Sequence, residues 1–129
     1  AYLFEDSVEV IDYLSKKYKL ALVTNGLKDV QKSRISKTPL KDYFQELIIS
    51  DEIKISKPDP RIFDYALDKL GYKDKSRVLM IGDSLTSDMQ GGVNAGIDTC
   101  WYNPNHLENK SGLNLTYEIH SLKELKEIL

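Results

Sequence analysis

The 129-residue chain has little cysteine, no long hydrophobic run and no excess of basic charge, and each absence excludes a class of protein. Cys100 is its one cysteine, so an internal disulfide is impossible and a reducing cytoplasm is the expected compartment. No apolar stretch approaches the ~20 residues that a membrane span requires. Eighteen basic against twenty acidic residues give a net charge of -2, which argues against nucleic acid or an anionic membrane as a partner.

The remaining composition, 41% hydrophobic and 29% charged, is typical of one soluble globular domain. Apolar runs without alternation predict buried strands, and helical periodicity with capping residues predicts helices between them. This order predicts an α/β fold with three α/β/α layers and a mainly parallel, Rossmann-like sheet. The predicted strands are 20–23, 44–49, 78–81, 99–102 and 117–119, and the predicted helices are 6–18, 29–37, 60–70, 87–95 and one that begins at Ser121.

Two carboxylates follow the apolar run in the segment VLMIGDSLTSD, which spans residues 78–88. Asp83 ends a predicted strand and Asp88 enters the next helix, so the loop between them can aim both inward. Two carboxylates at one site repel each other, and a hard cation such as Mg²⁺ relieves the repulsion. A helix cap and a solvated charge would explain the same two residues without a metal.

Polar groups also follow two other predicted strands. Thr24, Asn25 and Gly26 form a turn whose hydroxyl and backbone N–H groups can bind phosphate, although a strand-ending turn needs no function. Lys57 lies in a turn made rigid by two prolines, where a fixed ammonium can hold carboxylates and a phosphate together; a solvated lysine is the alternative. Because the carboxyl ends of parallel strands meet at one sheet edge, we expect all these groups to converge.

Other candidates have simpler interpretations. His106 and His120 have no second His or Cys at zinc-ligand spacing and are more typical of solvated histidines. Cys100 in an apolar strand is expected to be a packed thiol. Trp101 and Tyr102 could line a pocket, but strand packing is the commoner role of such aromatics.

Three segments together, LALVTNG, SKPDPRIF and VLMIGDSLTSDMQGGVNAGIDTCWYNP, resemble motifs two, three and four of the haloacid dehalogenase superfamily. Within it, GDSLTSDMQGG followed by NAGIDTCWYNP most resembles nucleotidases that dephosphorylate nucleoside 5′-monophosphates, non-canonical pyrimidine ones included. The resemblance implies a phosphoaspartyl mechanism with Mg²⁺ and a small phosphorylated substrate.

Residue roles follow from the same resemblance. It assigns catalytic roles to Lys57 and Thr24, with Thr24 and the Asn25 backbone on the phosphate, and Lys57 stabilising the nucleophile and the transferred phosphoryl group. It assigns Mg²⁺ to Asp83, and Asp88 matches the second acidic position of that motif.

The sequence departs from the superfamily at the first motif, because no Asp-x-Asp-x-Thr occurs in it. We therefore expect residues 1–129 to be a partial core domain, without the nucleophile strand and the helical cap, and inactive alone. The missing strand belongs between the strands ending at Thr24 and Asp83. We expect the gap to be filled by a preceding segment, by a strand swapped from another copy, or by direct pairing of the two edges. A dehalogenase, a phosphonatase, or a non-catalytic Mg²⁺ or phosphate-binding module are the alternative functions.

Overall fold

A computed structural model describes residues 5–24 and 43–129 of the chain. The helix predicted over 29–37 and the predicted phosphate-binding residues Asn25 and Gly26 lie outside these ranges. In the described part, no helix is long and apolar enough to cross a membrane.

The described chain alternates short strands with helices, as the apolar runs predict. The strands are β1 Ala21–Thr24, β2 Glu46–Ile49, β3 Leu79–Gly82, β4 Asp98–Tyr102 and β5 Tyr117–Ile119. The α-helices are α1 Glu5–Ser15, α2 Ser50–Ile53, α3 Arg61–Leu70, α4 Gln90–Ala95 and α5 Leu125–Ile128. Single turns of 3₁₀-helix occupy Lys75–Arg77 and Leu122–Glu124, and a π-helical turn occupies Leu85–Met89.

All strand pairs in the described ranges are parallel, which confirms the predicted fold class. β1 pairs with β2, and β3 pairs with β4, which pairs with β5. Between residues 5–24 and 43–129 no ladder joins β1 to β3, so the expectation that these two edges pair directly is wrong. A cleft of about 390 Å³ separates them, lined mainly by apolar residues of β1, β3, α1 and α3 together with Lys17, Lys19 and Arg77. The other two expectations for this gap stay predictions.

Helices cover both faces of the strands. On one face α3 packs against both sheets, and the buried residues of this core are Ile48, Ile62, Phe63, Ala66, Ala95 and Ile97. On the other face α1 and α5 pack together, and the buried residues of that core are Val10, Leu14, Cys100, Ile119 and Leu125. The two cores and the strands between them are the three predicted layers.

Side-chain and glycine caps mark the ends of several helices. The Asp59 carboxylate accepts the Arg61 N–H at 3.0 Å at the start of α3, and Gly71 ends that helix with a φ of 68°. Ser121 and Glu124 form a capping box. Most strand bounds shift by one or two residues, and the sequence did not predict α2; two helix boundaries differ more. α1 ends at Ser15, three residues early, and the helix predicted over 87–95 begins instead as a π-turn at Leu85.

Candidate functional site

Lys57 joins the carboxyl ends of the two sheets. Its Nζ donates to the Asp88 carboxylate and, at 3.1 Å, to the backbone carbonyl of Val23 in β1. The side chains of Lys57 and Asp88 are each only 9% exposed, so the ion pair is largely removed from water. One ammonium thus contacts the end of β1 and the segment that follows β3, as the predicted convergence requires.

Asp88 is fixed in place by the turn that carries it. The π-helical turn folds back on the end of β3, and the Ser84 N–H donates to Asp88 Oδ2 at 3.2 Å. Gly82 permits this approach, because a Cβ on that residue would lie 2.3 Å from Asp88 Oδ2. Lys57 therefore donates to one oxygen of the Asp88 carboxylate, and the Ser84 N–H donates to the other. Asp88 is thus the ion-pair partner of Lys57.

Asp83 differs from Asp88 in exposure. It follows β3 directly and is exposed at the sheet edge. Its backbone carbonyl accepts a hydrogen bond from the indole Nε1 of Trp101 at 3.1 Å. The backbone of Asp83 is thus hydrogen-bonded to a side chain of β4, while the residue itself is exposed to solvent.

The donor set formed by Asp83 and Asp88 suits Mg²⁺. This ion keeps several waters and is bound through one or two carboxylates together with substrate phosphate oxygens. In residues 5–24 and 43–129 no group of three or more His, Cys, Asp or Glu side chains is arranged to hold a metal. Two carboxylates are thus what this part of the chain offers, a number that fits Mg²⁺ and not a closed tetrahedral zinc site.

Thr24 ends β1, next to the carbonyl that Lys57 binds. The structure therefore brings together Thr24, Lys57 and Asp88, with Asp83 on the same segment as Asp88. The predicted contributions of Asn25 and Gly26 fall outside the described residues, and the chemical roles of the whole set stay predictions.

Away from this edge the structure confirms the prediction for Cys100 and differs for the two histidines, which contact each other instead of being simply solvated. Cys100 is fully buried, and burial raises the pKa of its thiol to about 11, so it is a packed residue and not a nucleophile. The rings of His106 and His120 stack with centroids 3.8 Å apart, and His120 Nδ1 lies 2.8 Å from the Asn103 carbonyl oxygen.

Sequence reasoning missed the hydrogen bond from Trp101 to the Asp83 carbonyl. Trp101 lies opposite Gly82 in the parallel register of β3 and β4, so its position beside the strand end was available from the topology. The direction of the indole N–H could not be predicted from that topology.

Comparison with known proteins identifies the scaffold. Residues 1–102 match the model of the haloacid dehalogenase-like hydrolases. The chain belongs to this family. It is 43% identical over 123 residues to the pyrimidine 5′-nucleotidase YjjG of Escherichia coli, covering 95% of this chain and 55% of that one. It is 41% identical over 116 residues to the pyrimidine 5′-nucleotidase PynA of Streptococcus pneumoniae, covering 90% of this chain and 49% of that one.

A solved structure of the HAD-hydrolase YfnB from Bacillus subtilis, bound to magnesium, superposes with a TM-score of 0.93 at 35% identity. The match covers 98% of this chain and 56% of YfnB. The resemblance read from the three motifs is confirmed at the level of the family. The chain spans about half the length of the relatives it matches.

Proposed function

We propose that the protein carrying this chain is a Mg²⁺-dependent phosphatase that acts on nucleoside 5′-monophosphates through a phosphoaspartyl intermediate, in a cytoplasmic setting. The observation that carries the proposal is the position of Lys57, buried against Asp88 and the end of β1. A cation fixed between two strand ends is positioned to stabilise the negative charge of a transferring phosphoryl group. Identity to two pyrimidine 5′-nucleotidases supports nucleotides as the substrate class.

Each residue of the site has one task in this proposal. Thr24, with the turn at Asn25 and Gly26, binds phosphate oxygens by hydroxyl and backbone N–H groups. Lys57 offsets charge on the phosphoryl group and on the attacking carboxylate. Asp83 and Asp88 would hold Mg²⁺, which supplies Lewis-acid stabilisation and a template for the phosphate when bound.

The attacking aspartate is not among these residues, because the sequence contains no Asp-x-Asp-x-Thr. We propose that the nucleophile is contributed from outside the printed sequence. The 129-residue chain alone is then a phosphate and Mg²⁺-binding module without turnover.

The test is hydrolysis of p-nitrophenyl phosphate and a panel of nucleoside 5′-monophosphates by the protein that carries this chain. We expect EDTA to abolish phosphate release and added Mg²⁺ to restore it, with pyrimidine nucleotides among the best substrates. Asp83→Asn should lower kcat by at least about 100-fold, since it removes a proposed Mg²⁺ ligand and with it the charge stabilisation that the metal would supply at the reacting phosphate.

Asp98→Asn is the matched control. It alters an exposed aspartate at the opposite end of β4, far from the carboxyl edge, and should leave kcat unchanged. Hydrolysis that is insensitive to EDTA would refute the proposal, as would halide release from haloacids without phosphate release from any ester. Turnover by the purified 129-residue chain would refute the assignment of the nucleophile to a segment outside it.

A further inference from the structure

The one tryptophan of the chain contacts the backbone of a proposed metal ligand. Trp101 is 2% exposed, lies in β4 and is in register with Gly82 at the end of β3. Its Nε1 donates to the Asp83 carbonyl at 3.1 Å. A large apolar ring is thus buried with its single polar atom directed at the residue where the chain leaves the strand.

The backbone ladder between β3 and β4 ends at Gly82 and Trp101. The indole hydrogen bond to Asp83 lies immediately beyond that end. Beyond β3 the segment is fixed by the Ser84 N–H on Asp88 and by the Met89 N–H on the Ser84 carbonyl. Both of these bonds act after Asp83. The indole fixes Asp83 itself, so the backbone from which its carboxylate projects is held from the strand side and from the turn side.

We infer that Trp101 is a positioning residue whose indole N–H holds the Asp83 backbone and thereby sets the affinity of the site for a divalent cation. The inference rests on the proposed function, in which Asp83 is a metal ligand. Groups that orient metal ligands through a hydrogen bond typically change metal affinity 10- to 100-fold when they are removed. Trp101 acts through Asp83 and contacts neither substrate nor metal.

The test is a calorimetric titration of Mg²⁺ into the protein that carries this chain, comparing the wild type with Trp101→Phe. Phenylalanine keeps a buried ring and removes the donor. We expect the Mg²⁺ Kd to rise about tenfold or more. In phosphatase assays the Mg²⁺ concentration at half-maximal rate should rise similarly, while kcat at saturating Mg²⁺ changes little.

Tyr102→Phe is the matched control, because it alters an adjacent aromatic whose side chain packs on the opposite face of β4. Its Mg²⁺ Kd should stay within twofold of the wild type. If Trp101→Phe lowers the melting temperature but leaves the Mg²⁺ Kd unchanged, the residue is only structural and the inference is overturned, while the proposed function survives. Absence of Mg²⁺ binding by the wild type would overturn both.

A measurement on the folded wild type covers the case in which Trp101→Phe does not fold. The indole ¹H–¹⁵N resonance of Trp101 should shift as Mg²⁺ is added, and the shift should be lost in Asp83→Asn. A resonance that does not move at saturating Mg²⁺ would contradict the coupling between the indole and the metal site.

Discussion

The residue on which the candidate site depends most is Lys57. Its ammonium and the Asp88 carboxylate are both withdrawn from water, and each replaces much of the hydration that the other has lost, together with the Val23 carbonyl and the Ser84 N–H. A buried pair of this kind adds little stability relative to an apolar pair. Removing one partner alone is costly, because the other charge stays buried without compensation.

We therefore predict that Lys57→Met destabilises the fold by about 3–5 kcal/mol, measured as the free energy of unfolding in urea. The double variant Lys57→Met with Asp88→Asn should cost less than the sum of the two single changes, because no unpaired ion is left. Phosphatase activity should be lost in all three variants.

Lys54→Met serves as the control for charge removal. Its ion pair with Asp51 is on the surface, where the lysine side chain is 78% exposed, and such pairs contribute between 0 and about 1 kcal/mol. Equal losses of stability for Lys54→Met and Lys57→Met would mean that the Lys57 pair is not the buried link described above.

At the scale of elements, α4 packs unusually closely on its neighbours through two adjacent glycines. A Cβ on Gly91 would lie 2.7 Å from the Phe63 ring, and a Cβ on Gly92 would lie 2.7 Å from Thr99 Cγ2. Thr99 is buried in β4 and β-branched, so it has little freedom to move away. Glycine in a helix interior is intrinsically unfavourable, and here close packing requires it.

Gly92→Ala should therefore destabilise the protein, although alanine is the better helix former by about 1 kcal/mol. We expect a net loss of roughly 1–3 kcal/mol from overpacking against Thr99, measured by thermal or urea unfolding. Val93→Ala on the exposed side of the same helix should be nearly neutral. A stabilised Gly92→Ala variant would show that α4 can shift away from β4 without cost.

The elements also show what sequence reasoning can reach. The bounds of helix α3 were predictable to within a residue. Its apolar stripe, Asp59 before it and Gly71 after it all indicate the same start and end. The π-turn at Leu85–Met89 was not predictable, since no residue pattern distinguishes it from the first turn of an α-helix. The turn places Asp88 in a local bond with the Ser84 N–H and in a long-range ion pair with Lys57, and the second contact cannot be read from the local sequence.

The same distinction holds for the site. Strand ends with polar residues predicted that Thr24, Lys57, Asp83 and Asp88 converge, because parallel topology requires it. The pairing of Lys57 with Asp88, and of Trp101 with the Asp83 carbonyl, depends on side-chain directions that a linear pattern does not encode.

At the scale of the whole molecule, the described strands form two separate parallel sheets, and a largely apolar cleft lies between the edge strands β1 and β3. Lys57 links their carboxyl ends, because it contacts β1 on one side and Asp88 on the other. Unpaired strand edges are templates for another strand. Each buried backbone group without a partner costs about 1–3 kcal/mol, so several would rival a typical domain stability of about 5–15 kcal/mol.

We therefore predict that a strand from outside the described residues enters the cleft parallel to β1 and β3. For the 129-residue chain alone we predict that another copy supplies this strand, so its sedimentation coefficient should rise with concentration. Leu79→Lys places a charge in the cleft and should shift the chain toward monomer, because burying an unpaired ammonium is unfavourable. Leu107→Lys, at an exposed leucine that is not among the residues lining the cleft, should leave the association unchanged. Monomeric behaviour at all concentrations, with rapid hydrogen exchange in β1 and β3, would show that these edges tolerate water and that no strand is required between them.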